Sequence, residues 1–190
     1  MSGVAPFLLP LVVPMMKRSW FAAQMALCAS AIFAILVTGC AGWKLSQPET
    51  VAVHPFLPQP AHVAKVCVIR TSVLEDGVTF VSRDNGVLVG ATRGPTYFCY
   101  YAEPGDHDLS IEADEWASAK LRAQAGQSYY LKEEVAIERG KVKGQGVWVD
   151  ESIARQLVDN SDYAVLVRAP GKERVPDEVP FAPVRHDHTM

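Results

Sequence analysis

The sequence predicts a mainly β domain with a single short helix, and three observations predict it. From Lys65 onward, short apolar runs are broken by turn residues roughly every 8 to 12 positions, the spacing of short strands joined by tight turns. Between His107 and Ala113, Leu109 and Ile111 point one way while Asp108, Ser110 and Glu112 point the other, so one sheet face is wet. Beyond Lys65, Asp150-Glu151-Ser152 alone reads as a helix start.

Each element follows from its residues. Lys65 to Arg70 (Lys-Val-Cys-Val-Ile-Arg) is β-branched and near-continuous, as in a core strand, and Val78 to Ser82 is a second strand. Asp84-Asn85-Gly86 supplies the asparagine-glycine pair that tolerates positive backbone dihedrals in a hairpin, and Val87 to Ala91 answers it. Arg93-Gly94-Pro95 turns the chain into Thr96 to Tyr101, the most aromatic strand, and Glu103-Pro104-Gly105-Asp106 turns it again. Lys120 to Ala123 and Gln127 to Ile137 are strands separated by Ala125-Gly126. Gly140, Gly144 and Gly146 mark a loop before a short strand, Gly146 to Val149. In the helix, Asp150 supplies the cap, and Ile153, Leu157 and Val158 share one face. Tyr163 to Val167 returns as an edge strand, which brings the count to about seven or eight short antiparallel strands. Residues 169–190, with prolines at 170, 176, 180 and 183 and alternating charges, read as a disordered tail.

The N-terminal region has a different character. Residues 1 to 14 are apolar but cut by Pro6, Pro10 and Pro14, which makes a poor membrane helix, and the natural start expected is Met15 or Met16. Lys17-Arg18 then opens a signal or anchor helix whose apolar run, Trp20 to Val37, holds 18 residues without a charge. At about 1.5 Å per residue that run reaches roughly 27 Å, close to the hydrocarbon thickness of a bilayer. Val37-Thr38-Gly39-Cys40 follows, and it resembles a bacterial lipobox: small residues give a peptidase access to the Gly39–Cys40 bond, and the Cys40 thiol accepts a diacylglyceryl group. The competing reading is an uncleaved signal anchor with an incidental cysteine. The order of charge pair, apolar run and cysteine favours export and lipidation, with residues 1–39 removed. Each buried methylene is worth about 0.8 kcal/mol, so two or more chains hold a protein stably on a membrane. Residue 41 is Ala; by analogy with enterobacterial lipoproteins, the absence of an aspartate there leans toward the outer membrane rather than the inner. Residues 40–63 carry Pro48, Pro55, Pro58 and Pro60 without periodicity and read as a semi-extended tether ahead of a domain over residues 64–168.

Charge excludes one class of partner. The chain of 190 residues has a net charge of −3, and the part from Cys40 onward keeps 16 basic against 21 acidic residues, or −5. There is no basic stripe to neutralise phosphates, so nucleic acid is not an expected partner.

The run Gly94 to Leu109, with Tyr97-Phe98 followed by Pro104-Gly105 and His107, then Ala125-Gly126 and Tyr129-Tyr130, resembles a family of small bacterial lipoproteins, the domain of unknown function numbered 2846. The resemblance covers roughly residues 64 to 158 and rests on turn signatures. It implies a β-sandwich and an envelope location, and it implies no reaction.

The search for catalytic chemistry finds no motif. His54, His62, His186 and His188 lie in the tether or tail, where no scaffold holds a catalytic geometry. His107, beside Asp106 and Asp108, reads as a turn-flanking residue paired with a local acid or a backbone group. Gly140 to Gly146 lacks the spacing and Lys-Ser/Thr ending of a phosphate loop. Asp106, Asp108, Glu112, Asp114 and Glu115 lack the glycine-bearing loop of a calcium site and read as a solvated face. Cys67 and Cys99 are either bridged or two buried thiols, and sequence leaves both open; a bridge closing this loop would add on the order of 3 to 4 kcal/mol. Tyr97, Tyr100, Tyr101, Tyr129, Tyr130, Trp116 and Trp148 read mainly as core.

The expectation is therefore a lipid-anchored, periplasm-facing envelope protein, non-enzymatic and without catalytic residues, cofactor or metal. Its expected partners are the membrane, through lipid on Cys40, and another envelope protein. A binding module for glycan, peptide or lipid is the alternative.

Overall fold

The computed structural model describes residues 42–184. Among them are twelve strands and one helix: β1 (Lys44–Ser46), β2 (Ala64–Arg70), β3 (Thr79–Asp84), β4 (Val87–Arg93), β5 (Thr96–Ala102), β6 (Gly105–Glu112), β7 (Trp116–Ala123), β8 (Ser128–Glu138), β9 (Lys141–Val149), α1 (Glu151–Val158), β10 (Asp162–Tyr163), β11 (Val165–Arg168) and β12 (Phe181–Ala182). One sheet runs β10-β5-β2-β8-β9, with β12 also paired to β5, and the other runs β4-β3-β6-β7. A ribbon of β1 and β11 lies apart from both. The β-sandwich is as expected, but it has more strands than seven or eight and is not wholly antiparallel. β2 and β8 run parallel, with Val66 opposite Tyr129 and Arg70 opposite Glu133. Such a pair needs a long crossover, and here β3 to β7 supply it.

The central strand explains the layering. Every residue of β2 is buried, so both of its faces are covered. Val66 and Val68 meet Phe80, Phe98, Leu109, Ile111 and Leu131 in the main core between the sheets. Cys67 and Ile69 face the other way, into a second cluster with Val53, Tyr97, Tyr130, Ala154 and Tyr163. A third cluster, in which Trp43, Leu45 and Leu166 pack on Val81, Leu88 and Ala91, places the β1–β11 ribbon over the outer side of β3 and β4.

The Asn85-Gly86 turn forms as read, with φ of 50° and 85° at the two residues. The helix also forms, with the Asp150 side chain accepting from Ile153 N at 2.9 Å. Its buried residue is Ala154, with Leu157 and Val158 packed beside it, while Ile153 points outward. The glycine-marked loop is a correction, because β9 runs straight through it. A Cβ on Gly144 would lie 2.4 Å from Ile111 Cγ2, so glycine lets β9 close onto the core.

The tether and tail are corrections of the same kind. Residues 40–63 do not form a free linker from Trp43 on: β1 pairs with β11, Val53 is buried, and Phe56 stacks near Tyr130 under the Arg155 guanidinium. Lys65 Nζ donates to the carbonyls of His54 and Leu57, and Tyr130 Oη donates to that of Pro55. A proline-rich segment is extended, and an extended chain lies as readily on a sheet face as in water. The tail also orders as far as Val184. Tyr101 N and Glu103 N donate to Pro180 O and Ala182 O, so β12 covers part of the open edge of β5, and Arg83 pairs with Glu173. The tail's prolines lack donors, and the strand they flank uses carbonyls.

Candidate functional site

Gly39 and Cys40 lie outside the described residues, as do the signal region, the start at Met15 or Met16, and His186 and His188. Of the remaining site residues, Cys67 and Cys99 stand directly opposite each other in β2 and β5 and are joined by a disulfide. The alternative of two free thiols is thereby replaced. Both sulfur-bearing residues are buried beneath the segment of Val53 and Phe56.

His107 is also buried; the backbone group expected beside it is the Glu103 carbonyl, but the acid it meets is Asp84 rather than a sequence neighbour. Alternation in β6 turns His107 inward with Leu109 and Ile111, while Asp106 and Asp108 face solvent. Its Nδ1 meets the Asp84 carboxylate at 2.8 Å, and its Nε2 meets the Glu103 carbonyl at 2.7 Å. Tyr100 Oη donates to Asp84 Oδ2 at 2.9 Å. Both imidazole partners are acceptors, so the ring carries two protons. Burial pulls its pKa down, but the hydrogen bonds that the ring donates to Asp84 and to the Glu103 carbonyl, with the nearby negative charge, outweigh it and raise the value. Burial and Asp84 hold the Tyr100 phenol well above its usual range. With both ring nitrogens engaged, this constellation orders β3, β5 and β6.

A second buried polar group occupies the other end of the core. The Arg70 guanidinium donates to the carbonyls of Leu74, Glu75 and Val78 and lies 4.3 Å from the Phe80 ring centre. Glu133, beside it in β8, accepts from Thr92 Oγ1 through one carboxyl oxygen, while the other has no partner among the described residues. Burial pushes the Glu133 pKa up to about 7, against the lowering effects of Thr92 and Arg70. The folded state then holds a proton that the unfolded chain releases near 4.5, so stability falls as pH rises between these values. That span is worth about 3 kcal/mol. Glu133→Gln is expected to gain on the wild type between pH 5 and pH 8, read by urea unfolding at each pH; a pH-independent difference would contradict the assignment.

Sequence reading singled out neither Arg70 nor Glu133, and it took Asp84 only as a turn residue. A signal was present. Arg70 shares a face with Val66 and Val68, and Glu133 shares one with Leu131 and Val135, so period-2 alternation already turns both inward.

An open cleft of about 600 Å3 lies between the Phe56–Gln59 segment, the start of β8 and the N-terminus of α1. Tyr129 and Trp148 meet edge to face at its wall, 6.4 Å between centres. Gln59, Gln127, Ser128 and Glu151 add polar groups. The aromatic tips are already engaged, since Trp148 Nε1 donates to Lys120 O and Tyr129 Oη accepts from Gln124 N. Among the described residues, no group of three or more His, Cys, Asp or Glu side chains is arranged to hold a metal ion. Neither family models nor curated proteins nor solved structures match the chain.

Proposed function

We propose that the chain is a membrane-anchored envelope lipoprotein whose β-sandwich is a non-enzymatic structural or interaction module, similar to the lipoprotein family named above. The observation that carries this reading is the order of Lys17-Arg18, the apolar run to Val37 and Gly39-Cys40. The Cys67–Cys99 bridge supports it, because disulfides persist outside the reducing cytoplasm. The module faces the periplasm, and the lack of an aspartate at residue 41 favours the outer membrane. Cys40→Ser is expected to leave an unprocessed, unlipidated precursor, read by mass spectrometry; normal processing would overturn the lipobox reading.

A second reading is a periplasmic binding module for glycan, peptide or lipid, and the cleft beside Tyr129 and Trp148 favours it, since aromatic walls with a few polar groups suit such ligands. Crosslinking in intact cells separates the two. Capture of an envelope protein supports the interaction module, and capture of a small ligand at the cleft supports the second reading.

A further inference from the structure

One end of the sandwich carries the two most exposed large apolar side chains among the described residues, Val73 and Trp116, and the described chain begins at the same end. The loop after β2 carries Val73 and Leu74, 73% and 47% exposed. That loop is held by Arg70, and its Asp76 lies against Gly94 in the turn between β4 and β5. Val81 pairs with Glu112, which brings the turn from β6 into β7 beside the start of β3, and Trp116 on that turn is 68% exposed. β8 runs parallel to β2 and continues past the Arg70–Glu133 pair to Ile137, 49% exposed. The backbone amides of Asp114 and Glu115 both donate to Val142 O, so the tip of the β8–β9 hairpin is tied to the β6–β7 turn.

The first described residues lie here as well. Arg93, at the end of β4, donates to the carbonyl of Trp43 and to Thr79 Oγ1. Four residue steps separate Cys40 from Lys44, the first residue of β1. Fully extended, they span at most about 14 Å. A lipid on Cys40 would therefore hold this end, and not the opposite one, within reach of the bilayer. Both signs of charge border the patch, with Lys44 and Arg168 among the bases and Glu75 and Asp76 among the acids, so the attraction is apolar.

We propose that the end of the sandwich bearing Val73, Leu74, Trp116 and Ile137 docks on the lipid surface to which Cys40 is anchored, which directs the cleft at Tyr129 and Trp148 away from the membrane. This rests on the lipoprotein reading. Tryptophan suits the headgroup level, where one part of the ring is wet and the rest is not, and an aliphatic pair on a loop inserts at the acyl boundary. The β7–β8 turn, with Gln124, lies at the far end, because Ala123 pairs with Gly105 and Ser128 with Lys65.

The test uses the full chain, processed in cells, with Val73→Cys, Trp116→Cys or Gln124→Cys. With Cys28 removed along with residues 1–39, the Cys67–Cys99 bridge and the thioether at Cys40 leave each new cysteine as the single free thiol. Each variant is labelled with an environment-sensitive fluorophore and placed in phosphatidylethanolamine–phosphatidylglycerol vesicles containing nitroxide-labelled lipid. The emission at positions 73 and 116 is expected to shift to the blue and be lost to quenching, with neither change at 124. A uniform response at the three positions, quenched or not, overturns the docking. Intact mass separates the two layers: with lipid present on Cys40, a uniform response leaves the lipoprotein reading standing, and without it both fall.

Discussion

Replacing Asp84 by alanine is expected to destabilise the domain by about 3–5 kcal/mol, the usual cost of removing one partner from a buried ionic pair. Asp84 is fully buried and receives hydrogen bonds from His107 Nδ1 and Tyr100 Oη, while His107 Nε2 is committed to the Glu103 carbonyl. Alanine would leave a protonated imidazole and a phenol facing nothing. Asp84→Asn keeps the volume and one acceptor, so it should cost less. The pH dependence distinguishes this from simple loss of packing. The folded pKa of His107 is raised, so its contribution is fully present below the unfolded value of 6.5 and is lost as pH rises through the folded value. The gap between wild type and Asp84→Ala should therefore narrow toward alkaline pH. Urea unfolding below pH 6.5 and well above it measures this, and a gap that stays constant would contradict a charged His107.

Removing the disulfide has the next largest expected effect. The bridge closes a sequence separation of 32 residues, for which chain entropy assigns about 3–4 kcal/mol. The Cys67→Ala/Cys99→Ala double variant should melt roughly 10 °C lower than the oxidised wild type. Reductant should lower the wild-type transition and leave the double variant unmoved. Because both cysteines lie under the Val53–Phe56 segment, reduction of the native protein should be slow and should accelerate in mild denaturant. Equal melting of reduced and oxidised wild type would show that the cysteines are not bridged.

Much of the fold was legible residue by residue. The strand pattern from Lys65, the Asn85-Gly86 hairpin and the Asp150 cap are local features, and each appears where its residues lie. The glycines of β9 misled because glycine marks a turn and also permits close approach of two sheets. Gly144 does the second, against Ile111. The proline-rich segments misled because low periodicity describes an extended chain without saying what lies beside it. Phe56 and Ala182 take their places on a surface that β2, β5 and β8 make together, which no local pattern shows. The polar groups were half legible: alternation turns Arg70, His107 and Glu133 inward, but it does not say that Asp84, 23 positions away, is the acid that His107 meets.

Local chemistry in the chain thus accounts for the β class, the single helix among the described residues, and the acidic balance from which no nucleic-acid partner is expected. It also accounts for the expectation of an anchor at Cys40. These depend on residues a few positions apart, where periodicity, turn preference and capping act. Long-range pairing accounts for the rest: the parallel β2–β8 register, the bridge between Cys67 and Cys99, the Asp84–His107–Tyr100 constellation and the gathering of Val73, Trp116 and Ile137 at one end. Each requires residues tens of positions apart to meet, and which strands become neighbours is settled by burying both faces of β2 at once, a condition no short window of sequence contains.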